Sequence, residues 1–132
     1  MEIAVETRDR HSLLDITAEI QDAVTKAGWT DGLCHVFVPH TTAGVLLNEA
    51  FDPGVRADIL SVLDEMIPAQ KAWRHAEGNS PAHAKAALAG SAAWIPVQKG
   101  RLQLGTWQGV FLAEFDGPRR RRVILAFVPA QF

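Results

Sequence analysis

The sequence predicts an α+β fold in one compact domain, with helices in the centre of the chain and strands around them. Its length of 132 residues is typical of a single domain, spanning 1–132, and is too short for an eight-stranded α/β barrel. Helical apolar periodicity is found between residues 16 and 90, whereas residues 94–128 carry short apolar runs separated by turn residues. Helices segregated from a late run of strands are typical of the α+β class.

The N-terminal region is predicted to form a strand followed by a helix. Apolar and charged residues alternate over 3–7, as in a half-buried strand. Apolar residues then recur at helical spacing over 16–27, with Asp15 or Thr17 as the N-cap and Gly28 as the stop.

The rest of the chain divides into further strands and helices. Strands are predicted over 33–38 and 43–47, before a helix capped by Asp52 and ended by Pro68. An irregular connection over 69–78 leads to a helix that is capped by Ser80 or Asn79, opened by Pro81 and closed by Gly90. The strands predicted after it are 94–97, 102–104, 107–115 and 121–128.

Composition excludes several classes of partner. A formal net charge of −2 gives no general attraction to nucleic acid or to anionic membranes. No apolar stretch reaches the roughly 18–20 residues that span a bilayer, and residues 1–10 lack the apolar core of a signal peptide. Cys34 is the only cysteine, which excludes an internal disulfide and suits a reducing compartment. We therefore expect a cytoplasmic protein.

Two polar segments concentrate the residues that carry chemistry. In the first, His40 begins a His-Thr-Thr segment that leads to Asn48 and Glu49; in the second, His75 and His83 flank Asn79. His83 falls in the first turn of a predicted helix, where the positive helix end keeps imidazole neutral and able to bind a metal. Three neutral imidazoles would form a catalytic type of zinc site. The alternative is three separate histidines bonded to backbone or carboxylate groups.

Carboxylates and arginines extend the candidate site. Glu49 is a candidate general base at a strand end near His40, and Asp58 is expected to be half-buried at the margin of an apolar helix stripe, where it needs a partner. On an extended strand Arg119 and Arg121 share one face and could hold an anion, the alternative being a solvated strand start.

A further polar group follows Gly105. Thr106 and Gln108 can place a hydroxyl and an amide in a pocket beside Trp107, the alternative being a turn followed by a core tryptophan. A β-rich domain this small has little room for a deep pocket of its own, which indicates a homo-oligomer with active sites at subunit boundaries.

Three stretches together resemble one known family. They are HTTAGVLLNEAFDPGVRADI over 40–59, the pattern His-x-x-x-Asn-x-x-x-His over 75–83, and GRLQLGTWQGVFLAEFDGPRRR over 100–121. In this order they resemble the YjbQ-like family, also called the secondary thiamine-phosphate synthase enzyme family. The resemblance covers nearly all of the chain from residue 32 onward.

The resemblance implies a fold, an assembly and an activity. The fold is a compact α+β domain with a β-sandwich element, assembled as a homotrimer. The activity is a low or secondary thiamine-phosphate synthase reaction, which joins hydroxymethylpyrimidine diphosphate to thiazole phosphate and releases pyrophosphate. The alternatives are a zinc-dependent hydrolase of a small phosphorylated or acylated metabolite, and a non-catalytic anion-binding trimer.

The resemblance also implies a site. A divalent metal, zinc by ligand type or magnesium for a diphosphate substrate, is expected on His40, His75 and His83. Beyond what the resemblance implies, the polar residues that we expect to act in catalysis are Asn48, Glu49, Asp58 and Asn79. Those expected to bind the phosphorylated substrate are Thr41, Thr42, Thr106, Trp107, Gln108, Arg119 and Arg121.

Overall fold

Eight strands and three helices form the part of the chain that the computed structural model describes, residues 1–131. The elements in chain order are β1 Glu2–Glu6, β2 Ser12–Asp15, α1 Thr17–Ala27, β3 Gly32–Phe37, β4 Ala43–Glu49, α2 Pro53–Met66, α3 Ser80–Ala89, β5 Ala92–Gln98, β6 Arg101–Leu102, β7 Gln108–Glu114 and β8 Arg120–Pro129. The predicted α+β class is confirmed. Strand β2 was not predicted.

The strands form two antiparallel sheets. The larger sheet has the order β1-β8-β3-β5-β6, and the smaller has the order β2-β7-β4. Apolar side chains from both sheets meet in one cluster, to which α1 contributes Ile20 and Val24. This cluster makes the two sheets a sandwich with α1 packed against it.

The other face of the smaller sheet is covered by α2 and α3. Phe111 and Ala113 point to this face and pack against Ala82 and Ala86 of α3 and against Leu63 of α2. Because the central strand β7 is covered on both faces, six of its seven residues are buried. The layers are therefore the larger sheet, the smaller sheet and the two helices.

Local sequence signals set the helix ends. The Asp52 side chain accepts a hydrogen bond from the Gly54 amide at 2.8 Å, as predicted for the start of α2. Asp15 accepts from the amide and the hydroxyl of Thr17 at the start of α1, and Gly28 ends α1 in the left-handed conformation. Within residues 1–131, no helix is both long and apolar enough to cross a membrane.

Helix α3 lies directly on β4 because Gly44 has no side chain. A Cβ atom on Gly44 would lie 2.4 Å from the carbonyl oxygen of Gly90, at the end of α3. We expect Gly44→Ala to displace α3 and to lower the free energy of unfolding by about 1–3 kcal/mol. Urea unfolding measures this change, and equal stability of Gly44→Ala and the parent would contradict it.

Candidate functional site

His40 lies in the connection between β3 and β4, beside the start of β8. Its Nε2 atom accepts a hydrogen bond from the backbone amide of Arg122 at 2.9 Å. Burial lowers the pKa of His40, and the charges of Arg121 and Arg122 lower it further. The ring is therefore neutral at pH 7, and a neutral ring that accepts at Nε2 carries its proton at Nδ1. His40 is thus positioned as a hydrogen-bond donor.

Thr42 is held by a buried ion pair that joins the two sheets. The Arg121 guanidinium donates to Glu114 Oε1 at 2.9 Å and to Thr42 Oγ1 at 2.8 Å, and Thr7 Oγ1 donates to the same carboxylate at 2.7 Å. Glu114 is fully buried and Arg121 is 4% exposed. The ion pair therefore fixes the His40–Thr42 segment against β8.

His75 and His83 lie together in an open cleft. Their ring centroids are 5.4 Å apart and the rings are nearly perpendicular. The cleft has a volume of about 810 Å³ and contains an aromatic ring, two cationic side chains and both imidazoles. Its lining residues are Lys71, Ala72, Trp73, Arg74, His75, Ser80, His83 and Ala84. His83 lies in the first turn of α3, and His75 in the irregular segment before it.

A second cavity, of about 380 Å³, connects His83 with His40. Apart from the two histidines it is lined by small side chains: Thr41, Ala43, Ala86, Ala87, Gly90 and Ser91. His83 lines both cavities. The structure therefore brings the three predicted histidines to adjoining cavities, with His83 in the middle.

The arrangement of the imidazoles fits a shared metal only in part. Two imidazoles on one tetrahedral zinc ion have ring centres about 5 Å apart, and His75 and His83 match this separation. The same separation is also typical of two rings that simply contact each other edge to face. His40 uses its Nε2 atom to accept from Arg122. Among the described residues, no group of three or more histidines, cysteines or carboxylates is arranged to hold a metal.

Asn79 connects the histidine cleft to the turn between β7 and β8. Its amide nitrogen donates to Asp116 Oδ2 at 3.0 Å, and Arg119 Nη2 donates to the same oxygen at 3.1 Å. Burial alone would raise the pKa of Asp116, but the hydrogen bonds from Asn79 and Arg119 outweigh it and lower the pKa. The Oδ1 atom of Asn79 is buried without a hydrogen-bond partner among the described residues. Asn79 thus positions the loop that carries His75.

Glu49 and Asn48 do not lie near His40. Asn48 and Glu49 are the last two residues of β4, whereas His40 precedes the first residue of this strand. The seven residues of β4 therefore separate Glu49 from His40 by about 20 Å. Glu49 Oε2 accepts from the amides of Phe51 and Asp52 at 2.6 and 3.1 Å, and Asn48 Oδ1 accepts from the Glu49 amide at 2.8 Å. Glu49 is therefore close to His40 in sequence but not in space within one chain, and its role as a base stays a prediction.

The end of the smaller sheet that carries Glu49 also carries Thr106, Trp107 and Gln108. Gln108 pairs with Glu49 in the β4–β7 register, and its side chain accepts from the Gly105 amide at 2.8 Å. Trp107 is 63% exposed and contacts the exposed Phe51 edge to face, with ring centroids 5.5 Å apart. Trp107 is therefore not a core residue, and the alternative interpretation of this segment is wrong on that point.

Two further predictions about charged residues need correction. Asp58 is exposed on α2 rather than half-buried, because α2 turns Leu60 and Leu63 toward the smaller sheet. Arg119 and Arg121 do not form an anion-binding pair: Arg121 is buried on Glu114, and Arg119 is held by Asp116. Within β8 the faces of Arg120, Arg121 and Arg122 alternate as predicted, with Arg121 in the sandwich interior, but Arg119 precedes the strand and does not share the face of Arg121.

Sequence reasoning also missed residues of the cleft. The irregular segment before His75 contributes three more side chains to the cleft of His75 and His83: Lys71, Trp73 and Arg74. The available signal was a tryptophan between basic residues in a segment without regular structure.

Comparison with known proteins decides the family. A family model described as "UPF0047 protein YjbQ-like" matches residues 1–130. The chain belongs to the YjbQ-like UPF0047 family. A UPF0047 protein of Methanocaldococcus jannaschii is 44% identical over 124 residues, which cover 94% of this chain and 90% of that protein. The UPF0047 protein YugU of Bacillus subtilis is 42% identical over 120 residues, 90% of this chain and 91% of YugU.

Solved structures of the YjbQ-like family confirm the fold. A crystal structure of a YjbQ/UPF0047 family protein from Clostridium acetobutylicum has a TM-score of 0.94 at 45% identity and covers 97% of this chain and 99% of that chain. A YbjQ-like protein of unknown function from Sulfolobus solfataricus has a TM-score of 0.93 at 35% identity, and the match covers 98% of this chain and 96% of that chain. The sandwich with its covering helices is therefore the fold of these YjbQ-like structures.

Proposed function

We propose that this protein is a cytoplasmic, homotrimeric enzyme with a low or secondary thiamine-phosphate synthase activity, and that the cleft around His83 is its substrate site. One observation carries the proposal: a single cleft combines an aromatic ring, two cations and two imidazoles in Trp73, Lys71, Arg74, His75 and His83. Heteroaromatic phosphorylated substrates need a stacking surface and cationic groups for the phosphates. The family resemblance supplies the reaction.

The reaction has charge requirements that the cleft can meet. The bond from the pyrimidine methylene carbon to the diphosphate oxygen breaks, and its electron pair leaves with pyrophosphate. The thiazole nitrogen then uses its lone pair to form the new carbon–nitrogen bond. Negative charge grows on the leaving group and positive charge on the pyrimidine, so Lys71 and Arg74 stabilise the former and Trp73 stacks on the latter. The Nδ1–H group of His40 offers one more donor at the adjoining cavity.

The proposal includes a divalent metal on His75 and His83. Their separation fits two ligands of one zinc ion, and when bound the metal would neutralise part of the diphosphate charge. Because imidazole favours zinc over magnesium, zinc is the metal that these residues suit. The same preference supports a second candidate, a zinc-dependent hydrolase of a small phosphorylated metabolite.

A direct assay separates the two activities. Purified protein with zinc, hydroxymethylpyrimidine diphosphate and thiazole phosphate is expected to yield thiamine phosphate and pyrophosphate in equal amounts. Pyrophosphate or phosphate without thiamine phosphate would identify the hydrolase instead. Release of neither product would exclude both activities on these substrates.

The role of Trp73 is tested in the same assay. We expect Trp73→Leu to raise the KM for the pyrimidine substrate by about tenfold, since loss of a cation–π contact weakens binding by about 1–2 kcal/mol. Trp94→Leu is the matched control, because Trp94 is exposed on β5 and packs against His35. Equal KM values for the two variants would contradict the stacking role.

A further inference from the structure

Residues 114–122 end β7, form the following turn and begin β8, and they contact both parts of the candidate site. The backbone amide of Arg122 donates to His40 Nε2 at 2.9 Å. In the turn, the Asp116 carboxylate accepts from the side chain of Asn79 at 3.0 Å. One short segment therefore supports the connection that carries His40 and the start of α3.

The Asp116 side chain is held by several hydrogen bonds and lies outside the histidine cavities. It is 14% exposed, and its Oδ2 atom accepts from both Asn79 and Arg119. Its backbone amide donates to Glu114 Oε2 at 3.1 Å, and its carbonyl oxygen accepts from Arg119 Nε at 2.8 Å. Because Asp116 lines neither of the two described cavities that His83 lines, it is a fixed acceptor and does not reach a substrate there.

Asn79 uses its side chain for Asp116 rather than for its own helix. It occupies the N-cap position of α3, where an asparagine side chain commonly accepts a hydrogen bond from a first-turn amide. Among the described residues it makes no such bond, and its amide nitrogen donates to Asp116 instead. This orientation leaves the Oδ1 atom of Asn79 buried without a partner in the same part of the chain. The contact with Asp116 therefore fixes the direction in which the Asn79 amide points.

The irregular segment 69–78 makes hydrogen bonds mainly to itself. The Trp73 indole donates to the carbonyl oxygen of Ala69 at 3.4 Å, and the Trp73 amide donates to that of Lys71 at 2.9 Å. Among the described residues, no hydrogen bond joins this segment to either sheet. Asn79, which directly follows the segment, makes such a bond through Asp116. That bond is therefore the nearest attachment of the segment to the sandwich.

We propose that Asp116 is a positioning residue for the histidine cleft. Through Asn79 it holds the segment that carries Trp73 and His75 at the start of α3. It thereby keeps His75 beside His83, at the ring separation seen in the cleft. The inference rests on the proposed function, because it takes this cleft as the substrate site.

Exchanging the two side chains tests the contact without any assay of activity. In Asn79→Asp two carboxylates face each other, and their repulsion opens the contact. In the double variant Asn79→Asp/Asp116→Asn an amide and a carboxylate face each other again, with the donor on the opposite side. Trypsin cleavage after Arg74, inside the segment, should be about tenfold faster in Asn79→Asp than in the parent, because cleavage follows the population of the opened segment. The double variant should return to the parent rate.

Gln70→Glu is the matched control for Asn79→Asp. Gln70 is exposed in the same segment, so this substitution also turns an amide into a carboxylate but leaves the Asn79–Asp116 pair intact. Its rate of cleavage after Arg74 is expected to equal that of the parent. Cleavage after Arg121, which is buried in the sandwich, reports global unfolding and should stay equally slow in all the variants.

The synthase assay links the contact to the substrate. We expect Asp116→Ala to raise the KM for hydroxymethylpyrimidine diphosphate by about tenfold, the effect of losing one charge-assisted hydrogen bond. The change in kcat should be smaller, because the segment carries the proposed binding groups Trp73 and Arg74, whereas His40 and His83 lie outside it.

The possible outcomes separate the inference from the proposed function. Cleavage of the double variant as fast as that of Asn79→Asp overturns the inference, and so does equal acceleration in Gln70→Glu or after Arg121. A restored cleavage rate in a protein that makes no thiamine phosphate supports the inference and refutes the proposed activity alone. Thiamine-phosphate synthesis with an unchanged KM in Asp116→Ala refutes the inference alone.

Discussion

Replacing Arg121 by methionine is expected to lower the free energy of unfolding by about 3–5 kcal/mol. The guanidinium is the charge partner of Glu114, which is fully buried between the two sheets. Without it, a buried carboxylate is left without an opposite charge, and Thr42 loses a hydrogen bond to its hydroxyl. Urea unfolding of the variant measures the loss.

Arg120→Met is the matched control for this substitution. Arg120 is the preceding residue on β8, but its side chain is mostly exposed. Its Nε atom lies 3.7 Å from Oε1 of Glu6, which is also mostly exposed. An exposed ion pair of this kind contributes about 0–1 kcal/mol. Similar losses in the two variants would show that the buried pair has no special role in stability.

The same ion pair predicts how stability depends on acid. Burial alone would raise the pKa of Glu114, but hydrogen bonds from Arg121 and Thr7 outweigh it and lower the pKa below its usual value of 4.5. A carboxyl group with a lowered folded-state pKa stabilises the protein fully above its unfolded-state pKa, and the contribution is lost as the pH falls through the folded value. Below pH 4.5 the parent should therefore lose stability more steeply than Glu114→Gln.

Local signals were sufficient for most of the secondary structure. Asp52 followed by a proline marked the start of α2, and Gly28 marked the end of α1, since caps depend on nearby residues alone. Strand β2 was missed because it has only four residues, and its last residue, Asp15, also accepts hydrogen bonds from Thr17 at the start of α1. The strand order and the pairing of β1 with β8 depend on contacts between distant residues, for which periodicity carries no signal.

The candidate site was harder to predict than the fold for a geometric reason. Glu49 is nine positions from His40, which made it look like a neighbour, but an extended strand of seven residues carries it to the far end of the sheet. The face of Arg121 was predictable from strand alternation, whereas the presence of the second sheet over that face was not. His40 and His83 come together only because α3 packs on β4 at Gly44, a contact between remote segments.

His83→Ala is expected to have the largest effect on function. His83 is the one predicted metal ligand that lines both described cavities, so its loss removes an imidazole from each. Alanine is favourable within a helix, and α3 should remain folded. We expect kcat/KM for thiamine-phosphate synthesis to fall by about 10²- to 10⁴-fold, the usual contribution of a positioned acid, base or charge-stabilising group. His35→Ala is the control, since His35 packs against Trp94 on the larger sheet.

Zinc binding by the His75→Ala and His40→Ala variants tests which histidines hold the metal and which one only donates a hydrogen bond. His75→Ala should lose zinc binding in calorimetry together with His83→Ala, because these two rings have the separation of shared ligands. His40→Ala should keep most of the affinity for zinc, since its Nε2 atom accepts from the Arg122 amide and its Nδ1 atom carries the proton. If His40→Ala loses zinc as completely as His75→Ala, then His40 must exchange the Arg122 contact for the metal. The three-histidine site predicted from the sequence would then form only when the metal binds.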